Sequence, residues 1–211
     1  MQLITDPGAI ERRSFELIAE ELAGKTISED NAFVVKRVIH TTADFDYADN
    51  LFFSPSVSTM AVELFRQGAH IVTDTKMALA GISKPALTQL GCDANCFIDA
   101  PEVMAAAKTA GSTRASAAVD HAVTTLSDPL VFVIGNAPTA LIRIYELIQA
   151  GQLAPALVIG VPVGFVNVVE SKELLLQLDV PSIVARGRKG GSNVAAAIIN
   201  ALLYEATGRV A

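Results

Sequence analysis

The 211 residues, 51% of them hydrophobic, supply enough apolar material for one sizeable core, and one domain over residues 1–211 is the expected organisation. Sixteen lysines and arginines against 22 aspartates and glutamates leave a formal charge of −6, which disfavours a general nucleic-acid binder and a protein held to anionic membranes. No apolar run approaches the roughly 18 residues of a membrane span, and the segment Met1 to Arg13 mixes acidic and basic residues where a secretory leader needs an apolar stretch, so a soluble, cytoplasmic protein is expected.

In chain order, helical spacing of apolar residues first predicts helices over Ala9 to Leu22, Asp30 to His40 and Pro55 to Gln67. The last of these is expected to open after Ser54, with proline at a permitted first-turn position. Five short apolar runs rich in β-branched residues follow: His70 to Thr73, Cys96 to Ile98, Leu130 to Ile134, Ala156 to Val161 and Ser182 to Ala185. Between them lie helical patterns such as Ala140, Leu141, Ile144, Leu147 and Ile148, or Val194, Ala197, Ile198, Ala201 and Leu202. Strand followed by helix, repeated, predicts an α/β fold: a three-layer, doubly wound, mainly parallel sheet of about five strands with an N-terminal helical elaboration. No linker, low-complexity tract or long-period repeat marks a second domain.

Ligands of such sheets bind at the carboxyl ends of the strands, so the loops there carry the functional signal. They read Gly135-Asn136-Ala137-Pro138-Thr139, then Gly160-Val161-Pro162-Val163-Gly164-Phe165, then Arg186-Gly187-Arg188-Lys189-Gly190-Gly191-Ser192. Glycine permits close backbone approach, and a following helix start offers unpaired N–H groups to an anion. The cations around Arg188 suggest an anion cradle, yet no Walker A spacing is present, nor a dinucleotide fingerprint, nor a nucleophile elbow. Cys92 and Cys96, with three residues between them, fit neither a redox pair nor a zinc site, and His70 and His121 lack metal-spaced partners, so structural roles are expected for all four.

One histidine stands apart. His40 closes a predicted helix, where the dipole favours a cation, and Arg37 lies one turn earlier on the same face, so one ligand can meet a guanidinium and an imidazole together. The bland alternative is a capping histidine on a solvated face. Arg114, after Gly111-Ser112-Thr113 and before an alanine-rich helix, is either a second carboxylate fork or an exposed first-turn charge. From the residues alone the reading stops at an α/β protein that binds a small polyanion beside one acid/base group. A nucleotide or phosphate binder built on the Gly187 to Ser192 loop remains a rival.

Seven segments in order carry a resemblance that spans nearly the whole chain. They are Arg13-Ser14-Phe15, Lys36-Arg37-Val38-Ile39-His40-Thr41-Thr42-Ala43-Asp44, Thr73-Asp74-Thr75-Lys76-Met77, Gly135-Asn136-Ala137-Pro138-Thr139-Ala140-Leu141, Pro162-Val163-Gly164-Phe165-Val166, Glu170-Ser171-Lys172 and Gly187-Arg188-Lys189-Gly190-Gly191-Ser192. On these the chain resembles the methylmutases acting on precorrin-8X or on cobalt-precorrin-8. The resemblance implies an isomerase that moves a methyl group from carbon 11 to carbon 12 of the macrocycle by a 1,5-sigmatropic shift, giving cobyrinate or hydrogenobyrinate, with no external cofactor and no protein-bound metal. It implies His40 as proton donor or acceptor, Ser14 and Arg37 as substrate contacts, and Arg114, in a matching Thr-Arg pair, as a further one. Lys172 and the Arg188 loop with Ser192 then offer groups complementary to the substrate carboxylates, the Asn136 loop offers backbone N–H groups, and Phe165 a ring to pack on the macrocycle. The stretches around His40 and after Gly187 look more like the cobalt-dependent members, with any cobalt belonging to the substrate. The partners implied are this tetrapyrrole and a second copy of the chain. A non-catalytic tetrapyrrole carrier is the alternative from another class.

Overall fold

The structure, a computed structural model, describes residues 3–127 and 129–209. Three helices come first: α1 (Pro7–Glu21), α2 (Glu29–Thr42) and the single turn α3 (Tyr47–Asn50). Asp6 caps α1 by accepting the Ala9 N–H at 2.8 Å ahead of Pro7. α2 runs two residues past the expected His40 end and stops where Ala43 turns left-handed, its N–H donating to the Ile39 carbonyl. His40 therefore sits in the last turn.

Next come β1 (Leu51–Phe53), α4 (Val57–Arg66), β2 (His70–Thr73), α5 (Lys76–Gly81), α6 (Lys84–Leu90), β3 (Asp93–Asn95), α7 (Pro101–Ala110) and α8 (Arg114–Thr125). The regular α/β alternation follows with β4 (Leu130–Ile134), α9 (Pro138–Gln149), β5 (Leu157–Gly160), α10 (Val168–Leu176), β6 (Ser182–Ala185) and α11 (Ser192–Ala206). The sheet has six strands in the order β1-β6-β5-β4-β2-β3, and only β1 runs antiparallel.

Alternate strand residues face opposite layers, as a period of two demands. Val131 and Val133 of β4 join Leu157, Ile159 and Ile183 beneath α1, α2, α4 and α11. Leu130, Phe132 and Ile134 join Val158 and Val184 beneath α8, α9 and α10. Every residue of β4, β5 and β6 is buried, which is why these strands read as unbroken apolar runs.

Three expectations need correction. The sheet has a sixth strand, β1, three apolar residues hidden between helical patterns and too short to show alternation. The strand expected at Cys96 to Ile98 lies instead at Asp93–Asn95; Phe97 and Ile98 are apolar because they pack under α8, not because they pair. α4 begins at Val57, since Ser54 is bonded both ways to Ser182 on the edge of β6 and cannot cap a helix.

Candidate active site

α2 presents Arg37 and His40 one turn apart, and α1 lays Phe15 against both. The imidazole of His40 stacks on the Phe15 ring at 5.0 Å and 11°, while the Arg37 guanidinium lies 4.7 Å from the same centroid. The stacking fixes the plane of an exposed imidazole, and among the described residues no group hydrogen-bonds its nitrogens. Both ring edges are thus presented to a ligand. Glu11, one turn before Phe15, pairs with Arg37 at 2.9 Å, and that hydrogen bond holds its carboxyl below the usual carboxylate range. Ser14 completes the group; its Oγ donates to the Ile10 carbonyl at 2.8 Å and keeps its lone pairs for a partner.

The carboxyl ends of the strands form the adjoining surface. Asp74, just past β2, accepts N–H groups from Gly135, Asn136 and Ala137 at 2.9, 2.8 and 2.7 Å, so the backbone donors expected to face a substrate carboxylate at the Asn136 loop are instead spent on this internal carboxylate. Burial pushes this carboxyl above its ordinary range, and the three donors work against that push. Thr75 and Ser192 share a hydroxyl bond of 2.7 Å across the top of the sheet. Gly135 is required here, because a Cβ would stand 2.8 Å from the Ser192 Cα. Asn136 is exposed beside this framework, and Thr113, the cap of α8, bonds Thr139 at 2.8 Å, so exposed Arg114 shares the edge. Phe165, 82% exposed, carries the Arg188 guanidinium over its ring at 5.5 Å.

The basic loop after β6 is not one cradle. Arg186 turns away onto Phe52, and Lys189 bonds Asp44 and Asp46 at 2.6 Å each, so only Arg188 remains directed at the Phe165 side. The two carboxylates push the Lys189 ammonium upward in pKa. This strap ties the loop to the chain just after His40.

Lys172, expected at a substrate carboxylate, corrects that expectation: it is wholly buried and its Nζ donates to the carbonyls of Gly187 and Lys189 at 2.8 and 2.9 Å. It holds the loop from below and is not open to a ligand. Gly190 lets the same loop close, since a Cβ there would fall 2.1 Å from the Val161 carbonyl oxygen. Burial lowers the Lys172 ammonium to about 8 from 10.5 in the unfolded chain. Between those values the unfolded chain binds more protons, so stability rises with pH, and the penalty is complete only below the lower value. Relative to Lys172→Met, the native chain gains roughly 2–3 kcal/mol from pH 8 to 10.5, measured by urea unfolding. A flat difference would show that the ammonium is solvated.

The structure thus brings Arg37 and His40 together on α2 against Phe15, with Ser14 next to Phe15 in α1, and Asn136, Phe165, Arg188 and Arg114 on the strand edge, where Ser192 is buried against Thr75. Phe15, Glu11 and Asp74 were not singled out by sequence, although Phe15 and Asp74 stand inside quoted segments; their roles depend on contacts between distant elements. Cys92 and Cys96 are free thiols, His70 bonds Asp93 across β2 and β3 at 2.6 Å, and His121 lies 3.7 Å from Glu102. Among the described residues, no group of three or more His, Cys, Asp or Glu is placed to hold a metal ion, and no helix is long and apolar enough to cross a membrane.

An exposed imidazole with no hydrogen-bond partner among the described residues, stacked beside the Arg37 guanidinium in an α/β domain, is chemically able to exchange a proton with an anionic ligand. Comparison with known proteins makes the class specific. The family model described as Precorrin-8X methylmutase matches residues 9–205. A cobalt-precorrin-8 methylmutase of Salmonella typhimurium is 46% identical over 97% of this chain and 98% of its own length. A precorrin-8X methylmutase of Pseudomonas aeruginosa is 40% identical over 96% and 97%. The crystal structure of precorrin-8X methyl mutase from Thermus thermophilus superposes with a TM-score of 0.87 at 39% identity, covering 96% of this chain and all of that one. The chain belongs to the precorrin-8X methylmutase family and is an isomerase that transfers a methyl group within one molecule.

Proposed function

We propose that the chain acts on cobalt-precorrin-8 and gives cobyrinate, breaking the bond from the methyl group to ring carbon 11 as the bond to carbon 12 forms. Nothing is added to or lost from the substrate, so the step needs no nucleophile and no external cofactor; any cobalt enters and leaves with the macrocycle. What the protein supplies is a fixed ring orientation and one proton-handling group. The observation that carries this reading is the His40 imidazole, held flat on Phe15 beside Arg37 with neither nitrogen hydrogen-bonded among the described residues.

The substrate's carboxylates meet Arg37, Arg114 and Arg188, with Ser14, Ser192 and Asn136 as neutral partners, and Phe165 packs on the macrocycle. Val163, Phe165 and Val166 on the strand edge, and Ile10 and Leu17 on α1, are exposed apolar side chains that suit cover by the macrocycle and by a second copy of the chain, which supports a homodimer as the working unit. The proposed place of action is the cytoplasm. Preference for the cobalt form is supported by relatives named cobalt-precorrin-8 methylmutase at 46%, 41% and 40% identity. The test is turnover of cobalt-precorrin-8 against its metal-free counterpart: a kcat/KM at least about tenfold higher for the cobalt form is expected, about 1.4 kcal/mol of discrimination. A higher value for the metal-free form would reverse the assignment.

A further inference from the structure

Near the end of α11, Tyr204 carries two guanidinium groups over its ring, Arg209 at 4.4 Å and Arg37 at 5.4 Å. Among the described residues a single carboxylate serves both cations: Glu11 lies 2.9 Å from Arg37 but 4.0 Å from Arg209. The second contact is at the outer limit of an ion pair, the Arg209 side chain is 55% exposed, and among the described residues its guanidinium makes no hydrogen bond. Arg37, Tyr204 and Arg209 border a cavity of about 470 Å³ between α1, α2 and α11, walled by Phe15 and Phe33 and edged by Lys36. Phe15 is also the ring on which His40 stacks, so the cavity and the imidazole share one wall.

Such a volume accepts a substituent and not a whole tetrapyrrole. Glu29 and Glu205 also line the cavity, so its selectivity rests on forked guanidinium geometry more than on bulk charge. Glu11 and Tyr204 lie inside the family match at 9–205, while Arg209 lies beyond it. We infer that Arg37 and Arg209 form a subsite for one carboxylate arm of the macrocycle, with Glu11 as an internal stand-in that the arm displaces from Arg209. The inference rests on the tetrapyrrole reading and adds Arg209 and Glu11 as residues that select for a carboxylate over an amide at that arm. Held there, the arm anchors the ring over His40.

The experiment is titration calorimetry with cobyrinate and with the same corrinoid fully amidated, on the native chain, Arg209→Gln and Glu11→Gln. Arg209→Gln weakens cobyrinate about tenfold, the loss of a charge-assisted hydrogen bond, and leaves the amidated ligand within about twofold. Glu11→Gln tightens cobyrinate by about threefold or more, because the competing internal anion is gone. Equal effects of Arg209→Gln on both ligands, or weaker cobyrinate binding by Glu11→Gln, overturn the subsite. Cobyrinate binding that is insensitive to Arg209→Gln overturns it alone, whereas failure of the native chain to bind either corrinoid overturns the functional reading with it.

Discussion

His40→Ala lowers turnover by about 10²- to 10⁴-fold while the macrocycle still binds, the span for loss of a positioned acid/base group. The geometry separates the two effects. The imidazole gives its face to Phe15 and leaves its nitrogens exposed, whereas Ser14, Arg37 and the strand-edge residues proposed to bind carboxylates remain in place. Removing the ring costs the fold only an exposed stacking contact, on the order of 1 kcal/mol. Steady-state rates together with product binding check the split. Turnover within a few-fold of native would remove His40 from the chemistry, and a non-catalytic carrier would show binding without turnover in the native chain as well.

Asp74→Ala is expected to be the most damaging substitution for stability at the site. Its carboxylate gathers three backbone N–H groups at the start of the α9 segment, and Gly135, one of the donors, is buried. Alanine leaves these donors without partners. Charge-assisted bonds of this kind are worth about 1.5–3 kcal/mol each before water replaces any of them, so a loss of roughly 3–5 kcal/mol is expected. For a domain of this size that lowers Tm by roughly 10 °C, measurable by calorimetry. Asp74→Asn keeps the shape but loses the charge and one acceptor, and should fall between the two. A Tm within a degree or two of native for Asp74→Ala would mean that water replaces the carboxylate at little cost.

The parts of the fold that sequence reveals are those where one local pattern decides the outcome. The buried parallel strands at Leu130 to Ile134 and Ser182 to Ala185 are continuous apolar runs because helices cover both faces. The helical face shared by Arg37 and His40 follows from three-residue spacing alone. β1 was not legible, since its pairing with β6 is set by residues more than a hundred positions away. Lys172 misled for a physical reason: a lysine beside a glycine-rich basic loop suits a phosphate or carboxylate as well as it suits two backbone carbonyls, and only burial decides between them. Lys189 likewise looks like an anion ligand until Asp44 and Asp46, adjacent to the His40 helix, are seen to neutralise it. Phe15 was visible as a motif member but its part in orienting His40 is a tertiary contact with no local signature.

The methyl group moves within one macrocycle, and an isotopic label on that group follows the move. Cobalt-precorrin-8 carrying a ¹³C-methyl group at carbon 11 is incubated with the purified chain and followed by NMR. The label should leave carbon 11 and appear wholly on carbon 12, with no loss to unlabelled substrate mixed into the same tube. A label that stays on carbon 11, or that scrambles between labelled and unlabelled molecules, would contradict the account.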